Sequence, residues 1–123
     1  MVDSDSPQAP SLPSRVHLIG ICGTGMGSLA RLFKSAGCQV RGSDAAAFPP
    51  MSLQLAAAGI DVLVGYDAVH LDWNPDLVVV GNIARQDNPE AVEAGRRSMT
   101  LCSMAAAISR FFLEGRHPVV IAG

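Results

Sequence analysis

The amino-acid sequence predicts an α/β fold in which a mostly parallel sheet carries helices on both faces. Three observations predict it. Apolar, β-branched runs alternate along the chain with amphipathic helical stretches, the pattern of strands joined by crossover helices. Hydrophobic residues make up 49% of the 123 residues, which suits strands buried on both sides. The first strand-like run, Val16-His17-Leu18-Ile19, enters the glycine cluster Gly20-Ile21-Cys22-Gly23-Thr24-Gly25, and a helix-like stretch follows. That order opens a nucleotide-binding βαβ unit. The fold is therefore expected to be Rossmann-like.

The elements follow in order. Residues 1–14 are rich in Pro, Ser and Asp and read as a disordered leader, which leaves 15–123 as the folded domain. The first strand is expected over 16–21. The first helix is expected over 25–36, with Met26, Leu29, Ala30, Leu32 and Phe33 on its apolar face and Gly37 ending it. The second strand covers 39–42 and ends at Ser43 and Asp44. Pro49-Pro50 makes 45–50 a loop. A short helix over 51–58 stops at Gly59, and a third strand covers 60–64. Residues 68–73 read as a loop or short helix. The fourth strand, 76–80, is the most β-branched stretch and ends at Gly81-Asn82. A helix over 89–97 has Asn88 as its cap and Pro89 in its first turn. Glu90 and Glu93 near its start and Arg96 and Arg97 near its end suit the helix dipole. A short strand over 99–102, a helix over 103–113 capped by Ser103, and a last strand over 118–121 complete the alternation.

Composition excludes several partners. Aromatic residues are only 5% of the chain, which leaves little for stacking on single-stranded bases. A net charge of −2 supplies no basic field for nucleic acid or an anionic membrane. No apolar run reaches the ~18 residues that span a bilayer. The start Met1-Val2-Asp3-Ser4-Asp5-Ser6 has no apolar h-region. The expectation is a cytoplasmic protein. Cys22, Cys38 and Cys102 lie far apart, without CxxC spacing or a zinc pattern with His17, His70 and His117. They read as free thiols, and no metal site is expected.

In such sheets ligands lie beyond the carboxyl ends of the strands. Those ends hold Cys22 to Met26, Ser43, Asp44, Gly65, Tyr66 and residues 81–83. Glycines admit a phosphate to the backbone with no Cβ in the way, and a helix N-terminus favours its charge. The dinucleotide pattern G-x-G-x-x-G has its first and third glycines in Gly20 and Gly25, but Cys22 stands at the second, with Gly23 as an extra glycine. Asp44, about twenty residues on, is placed where an acid accepts ribose hydroxyls. Asn82 reads equally as a nucleotide contact and as turn chemistry. Asn88-Pro89-Glu90 reads as a helix start. Cys22 reads as a small packing residue, since no base adjoins it in sequence, and His17 as a satisfied structural histidine. There is no Ser-His-Asp order and no complete P-loop.

The run from His17 to Met26 resembles the N-terminal signature of the Mur ligases, the ATP-dependent amide ligases of peptidoglycan. Three features resemble the muropeptide-recycling branch of that family. They are Gly20-Ile21-Cys22-Gly23-Thr24, Phe48-Pro49-Pro50-Met51-Ser52, and Gly81-Asn82 followed by Asn88-Pro89-Glu90. The sister branch that adds L-alanine to UDP-N-acetylmuramate usually has glycine in place of Cys22, and serines in place of Gly81-Asn82. The resemblance implies a UDP-sugar-binding domain, with the ATPase and C-terminal domains of the ligase outside 15–123. It implies UDP-N-acetylmuramate contacts at Gly20, Cys22, Gly23, Thr24, Gly25 and Met26 for the diphosphate. It implies Ser43 and Asp44 for the ribose or uracil, and Asn82 and Ile83 near the nucleotide. ATP and Mg2+ would serve the full-length enzyme, which would phosphorylate the lactyl carboxylate of the sugar and let the tripeptide amine attack the acyl phosphate. This segment would bind no cofactor and turn nothing over alone. The competing readings are the L-alanine-adding branch, an NAD-binding module on the same glycine loop, and a non-enzymatic nucleotide sensor.

Overall fold

The computed structural model describes residues 12–47, 49–81 and 87–113. The first eleven residues of the expected leader, Phe48, Asn82, Ile83 and the expected strand over 118–121 lie outside the described residues. Among the described residues five strands form one sheet: β1 (Arg15–Ile19), β2 (Gln39–Asp44), β3 (Asp61–Val64), β4 (Leu77–Val80) and β5 (Leu101–Ser103). Their order across the sheet is β3-β2-β1-β4-β5, and every pairing is parallel. The Rossmann-like expectation holds.

Strand alternation sorts the side chains into two cores. Val16 and Leu18 of β1, Val40 of β2 and Val79 of β4 point to one face. There they meet α1 (Thr24–Ser35) through Leu29, Ala30 and Phe33, and α2 (Met51–Ala57) through Leu55. Ile19 and Val78 point to the other face, where Ala94 of α3 (Pro89–Arg96) and Leu71 of a 3-10 turn (Ala68–Leu71) cover them. The helix-ending turns expected at Gly37 and Gly59 form at positive φ. Gly37 closes α1 at φ +101° and Gly59 follows α2 at +77°. Among the described residues no helix is long and apolar enough to cross a membrane.

Three local expectations need correction. Leu12 packs against the first core. Ser14 donates its N–H to Asp76 Oδ2 at 2.9 Å and accepts from Gln39 N–H at 2.8 Å. The last residues of the supposed leader are therefore part of the fold, because the start of β1 needs partners on both sides. The fifth strand starts two residues later and ends one residue later than its apolar pattern suggested, because its register is set by β4, where Val78, Val79 and Val80 pair with Leu101, Cys102 and Ser103. The helix over 103–113 is not uniform. It begins as α4 (Met104–Ala107), with Ser103 Oγ accepting from Ala106 N–H, and continues as a π-helical turn over Ile108–Leu113. The wider turn lets the adjacent Phe111 and Phe112 both pack edge-on to Phe33, at 5.8 and 5.0 Å between ring centroids.

Candidate functional site

The sheet reverses its winding between β1 and β4, since the chain passes from β1 outward to β2 and β3 and returns to β4 on the other side. A crevice opens at the carboxyl ends of the strands at such a switch point. Gly20 leaves β1 at φ +84°, a conformation that costs a residue with a Cβ. That turn lets Gly20 and Ile21 both donate their N–H groups to Ser43 C=O, at 2.8 and 3.1 Å. Gly23 N–H then folds back on Gly20 C=O at 3.1 Å. Ile21 is fully buried and anchors the loop in the first core.

The loop delivers the chain into α1 with Gly23 as N-cap. Among the described residues no side chain caps this helix, and no acidic residue lies in its first turn. The first-turn N–H groups of an α-helix have no intrahelical partner. Elsewhere Asn88 Oδ1 caps α3, accepting from Glu90 N–H at 2.9 Å, and Asp67 Oδ1 caps the 3-10 turn at Val69 N–H at 3.0 Å, while the seven-residue α2 behind Pro50 also lacks a side-chain cap. The start of α1 thus keeps its positive partial charge for something outside the helix.

Asp44 closes the other side. Its carboxylate is largely buried, and Oδ2 accepts from Cys22 N–H at 2.9 Å. Beyond β3, Gly65 N–H donates to Asp44 C=O at 2.7 Å, which brings Tyr66 to the same rim. Burial, and next the Asp44 charge, push the Tyr66 hydroxyl up, against a backbone hydrogen bond at Ala45. It stays a neutral phenol. Burial, followed by Asp44, also raises the Cys22 thiol. Cys22 is half-buried against the first core, a neutral packing thiol rather than an activated nucleophile.

The structure separates the expected contacts by what they can present. Gly20, Cys22, Gly23, Thr24 and Gly25 line the loop and helix start. Met26 is there by its backbone alone, since its side chain is buried in the first core. The Ser43 hydroxyl is committed inside the fold. The residue is fully buried, and its Oγ donates to Glu90 Oε1 at 2.6 Å. The alternation along β2 decides this: Asp44 ends at the rim, while Ser43 points under the second face. Gly81 closes the floor, its N–H on Ile19 C=O at 2.9 Å. A Cβ there would stand 3.1 Å from both Ile19 O and Met26 Cγ.

Glu90, expected to complement the dipole of α3 and to complete the helix start Asn88-Pro89-Glu90, is the centre of a buried network. Its Oε1 also accepts from His17 Nε2 at 2.7 Å. Its Oε2 accepts from Asp67 N–H at 3.1 Å and His70 Nδ1 at 2.7 Å. Burial alone would raise the Glu90 carboxyl, but the hydrogen bonds from His17, Ser43 and His70 outweigh it and hold the group below its ordinary range. Trp73 Nε1 donates to His17 Nδ1 at 3.4 Å, so the network assigns the His17 proton that reaches Glu90 to Nε2. His17 is the satisfied structural histidine expected of it. An acid directly after an Asn-Pro helix start was the available signal for Glu90, but its partners are distant in sequence.

Comparison with known proteins places this geometry. The family model described as Mur ligase family, catalytic domain, matches residues 15–116. The chain is 40% identical over 109 residues to the UDP-N-acetylmuramate–L-alanyl-gamma-D-glutamyl-meso-2,6-diaminoheptandioate ligase of Escherichia coli K12, covering 89% of this chain and 24% of that protein. It is 37% identical over 109 residues to the UDP-N-acetylmuramate–L-alanine ligase of Rubrobacter xylanophilus, covering the same shares. Among solved structures, a murein peptide ligase from Psychrobacter arcticus superposes with a TM-score of 0.79 at 41% identity, over 85% of this chain and 22% of that one. The chain therefore spans about a quarter of the length of these relatives.

Proposed function

The chain belongs to the Mur ligase family, and on that footing we propose that it supplies the UDP-N-acetylmuramate-binding domain of an ATP-dependent peptidoglycan ligase. The observation that carries this reading is the uncapped start of α1 behind the Gly20 turn, set at the switch point between β1 and β4. A diphosphate placed there meets backbone N–H groups and the positive end of a twelve-residue helix. The proposed diphosphate donors are the first-turn N–H groups of Thr24, Gly25 and Met26, while Gly20, Cys22 and Gly23, whose N–H groups are held by Ser43 C=O, Asp44 Oδ2 and Gly20 C=O, line its approach. Asp44 is proposed to take the ribose hydroxyls, with its orientation set by Cys22 N–H. Asn82 and Ile83 are proposed near the nucleotide. Ser43 is left out of the contact set because its hydroxyl is committed to Glu90.

The relatives named for the tripeptide-adding reaction and those named for L-alanine addition share this domain. The muropeptide-recycling branch is favoured by Cys22 in the loop and by Asn88-Pro89-Glu90. In the full-length enzyme ATP would supply the phosphoryl group that activates the sugar's lactyl carboxylate, and Mg2+ would neutralise its charge. Among the described residues no group of three His, Cys, Asp or Glu side chains is arranged to hold a metal ion, and no step of phosphoryl transfer is assigned to them. The role of these residues is to bind and orient the nucleotide end of the substrate.

Calorimetric titration with UDP-N-acetylmuramate, and with NADH in parallel, tests the reading. Binding of the UDP-sugar is expected with Kd in the range of ~10 μM to 1 mM, or about −7 to −4 kcal/mol, and it is lost in Asp44→Ala. Heat with NADH alone would overturn the reading in favour of a dehydrogenase-type module.

A further inference from the structure

We propose that Glu90 is a positioning residue: its buried carboxylate gathers β1, β2 and the turn after β3, and through Ser43 sets the shape of the glycine loop that receives the nucleotide. The inference rests on the functional reading above and adds to it a residue outside the ligand's reach.

The geometry is a chain of short contacts. Glu90 is fully buried at the start of α3, on the face of the sheet opposite α1. Its Oε1 takes Ser43 Oγ at 2.6 Å and His17 Nε2 at 2.7 Å. Ser43 in turn uses its C=O to hold Gly20 and Ile21 N–H at 2.8 and 3.1 Å. The next residue, Asp44, holds Cys22 N–H at 2.9 Å. Three successive loop amides are thus fixed by two successive residues of β2, and the first of these is fixed by Glu90. Oε2 holds the opposite rim through Asp67 N–H and His70 Nδ1 at 3.1 and 2.7 Å.

Four donors from three separate segments meet on one carboxylate, and among the described residues no buried side-chain N or O lacks a partner. A carboxylate with two acceptor oxygens is the group that can do this. Glutamine keeps the shape but offers one acceptor oxygen, and its NH2 would face two donors. A purely apolar contact would stabilise the fold equally well without fixing the height of Ser43 relative to the loop.

The network also carries its own reporter. Trp73, the single tryptophan of the chain, donates to His17, which donates to Glu90. A shift of the carboxylate moves the hydrogen-bonding of the indole.

The test compares wild type, Glu90→Gln and Ser43→Ala, each shown to be folded by a cooperative unfolding transition. Amide NMR shifts of Gly20, Ile21 and Cys22 are recorded without ligand, and UDP-N-acetylmuramate is then titrated while Trp73 emission is followed. Positioning predicts displaced loop amides in both variants, affinity weakened about tenfold or more, and an altered Trp73 emission in Glu90→Gln. Should Glu90→Gln fail to fold, Ser43→Ala, which leaves the other three donors on Glu90, decides on the same amide and affinity readouts. Unmoved loop amides in a folded Ser43→Ala would overturn the proposal, as would unchanged affinity beside a wild type that binds. A wild type that ignores the UDP-sugar would refute the functional reading instead, and the amide shifts would still judge Glu90.

Discussion

Gly42 shows how little room the loop leaves. A Cβ at this position would stand 2.6 Å from Leu18 O and 2.7 Å from Ile21 Cβ. Backbone cannot yield as a flexible side chain does, so Gly42→Ala is expected to cost about 1–3 kcal/mol, read as a lower urea midpoint at unchanged slope. Glu90 carries the acid dependence of stability. Its folded-state carboxyl lies below the ordinary value, so its contribution is fully present above the usual glutamate range of about 4.3. It is lost as pH falls through the folded value. Glu90→Gln is expected to lower stability at neutral pH by about 1–3 kcal/mol. The gap between wild type and variant should narrow as pH falls below 4.3 or so, measured by urea unfolding across that range; a constant gap would refute the assignment. Glu93 lies under the last turn of α3, and hydrogen bonds from Arg96 and Arg97 pull its carboxyl down to about 2. Arg96 is exposed, so its pair with Glu93 is open to salt screening and adds little, while Arg97 and Glu93 are half-buried.

At the scale of elements, the starts of α1 and α3 are built differently. α3 is capped by Asn88, and Asn88→Ala is expected to cost about 1 kcal/mol, visible as a lower melting temperature. α1 is left open at Gly23, whose φ of −64° and ψ of 150° any L-residue accepts. Its Cβ would meet Gly20 O at 3.4 Å and Met26 Cβ and Cγ at 3.9 Å, ordinary contacts. Gly23→Asp should therefore cap α1, raising stability by a few tenths of a kcal/mol, while its carboxylate occupies the N–H groups and repels a diphosphate. The expected outcome is a slightly higher melting temperature together with lost UDP-sugar binding. A variant that binds as wild type does would remove the helix start from the site. The caps and turn glycines of these elements were legible in the sequence because each acts within a few residues. The π-helical turn over Ile108–Leu113 was not, since it answers to Phe33, far back in the chain.

At the scale of the molecule, a ligand that binds only the folded domain must stabilise it. UDP-N-acetylmuramate at a hundred times its Kd is expected to add about 2.7 kcal/mol, seen as a rise in melting temperature that NADH does not reproduce. An equal response to both would point to a less selective crevice. By itself, the sequence determined the alternation of strands and helices, the parallel sheet that follows from it, and the glycine loop at the end of β1. These come from local periodicity, turn chemistry and capping, which a linear pattern records. Which face each rim residue presents was decided by the tertiary structure. Ser43 and Asp44 are neighbours in sequence, yet one lies under the sheet on Glu90 and the other at the crevice. The contacts that settle this span 47 residues from Ser43 to Glu90 and 73 from His17 to Glu90. No local pattern specifies such a meeting; the register of β2 against β1 and the seating of α3 across them bring the donors to one carboxylate.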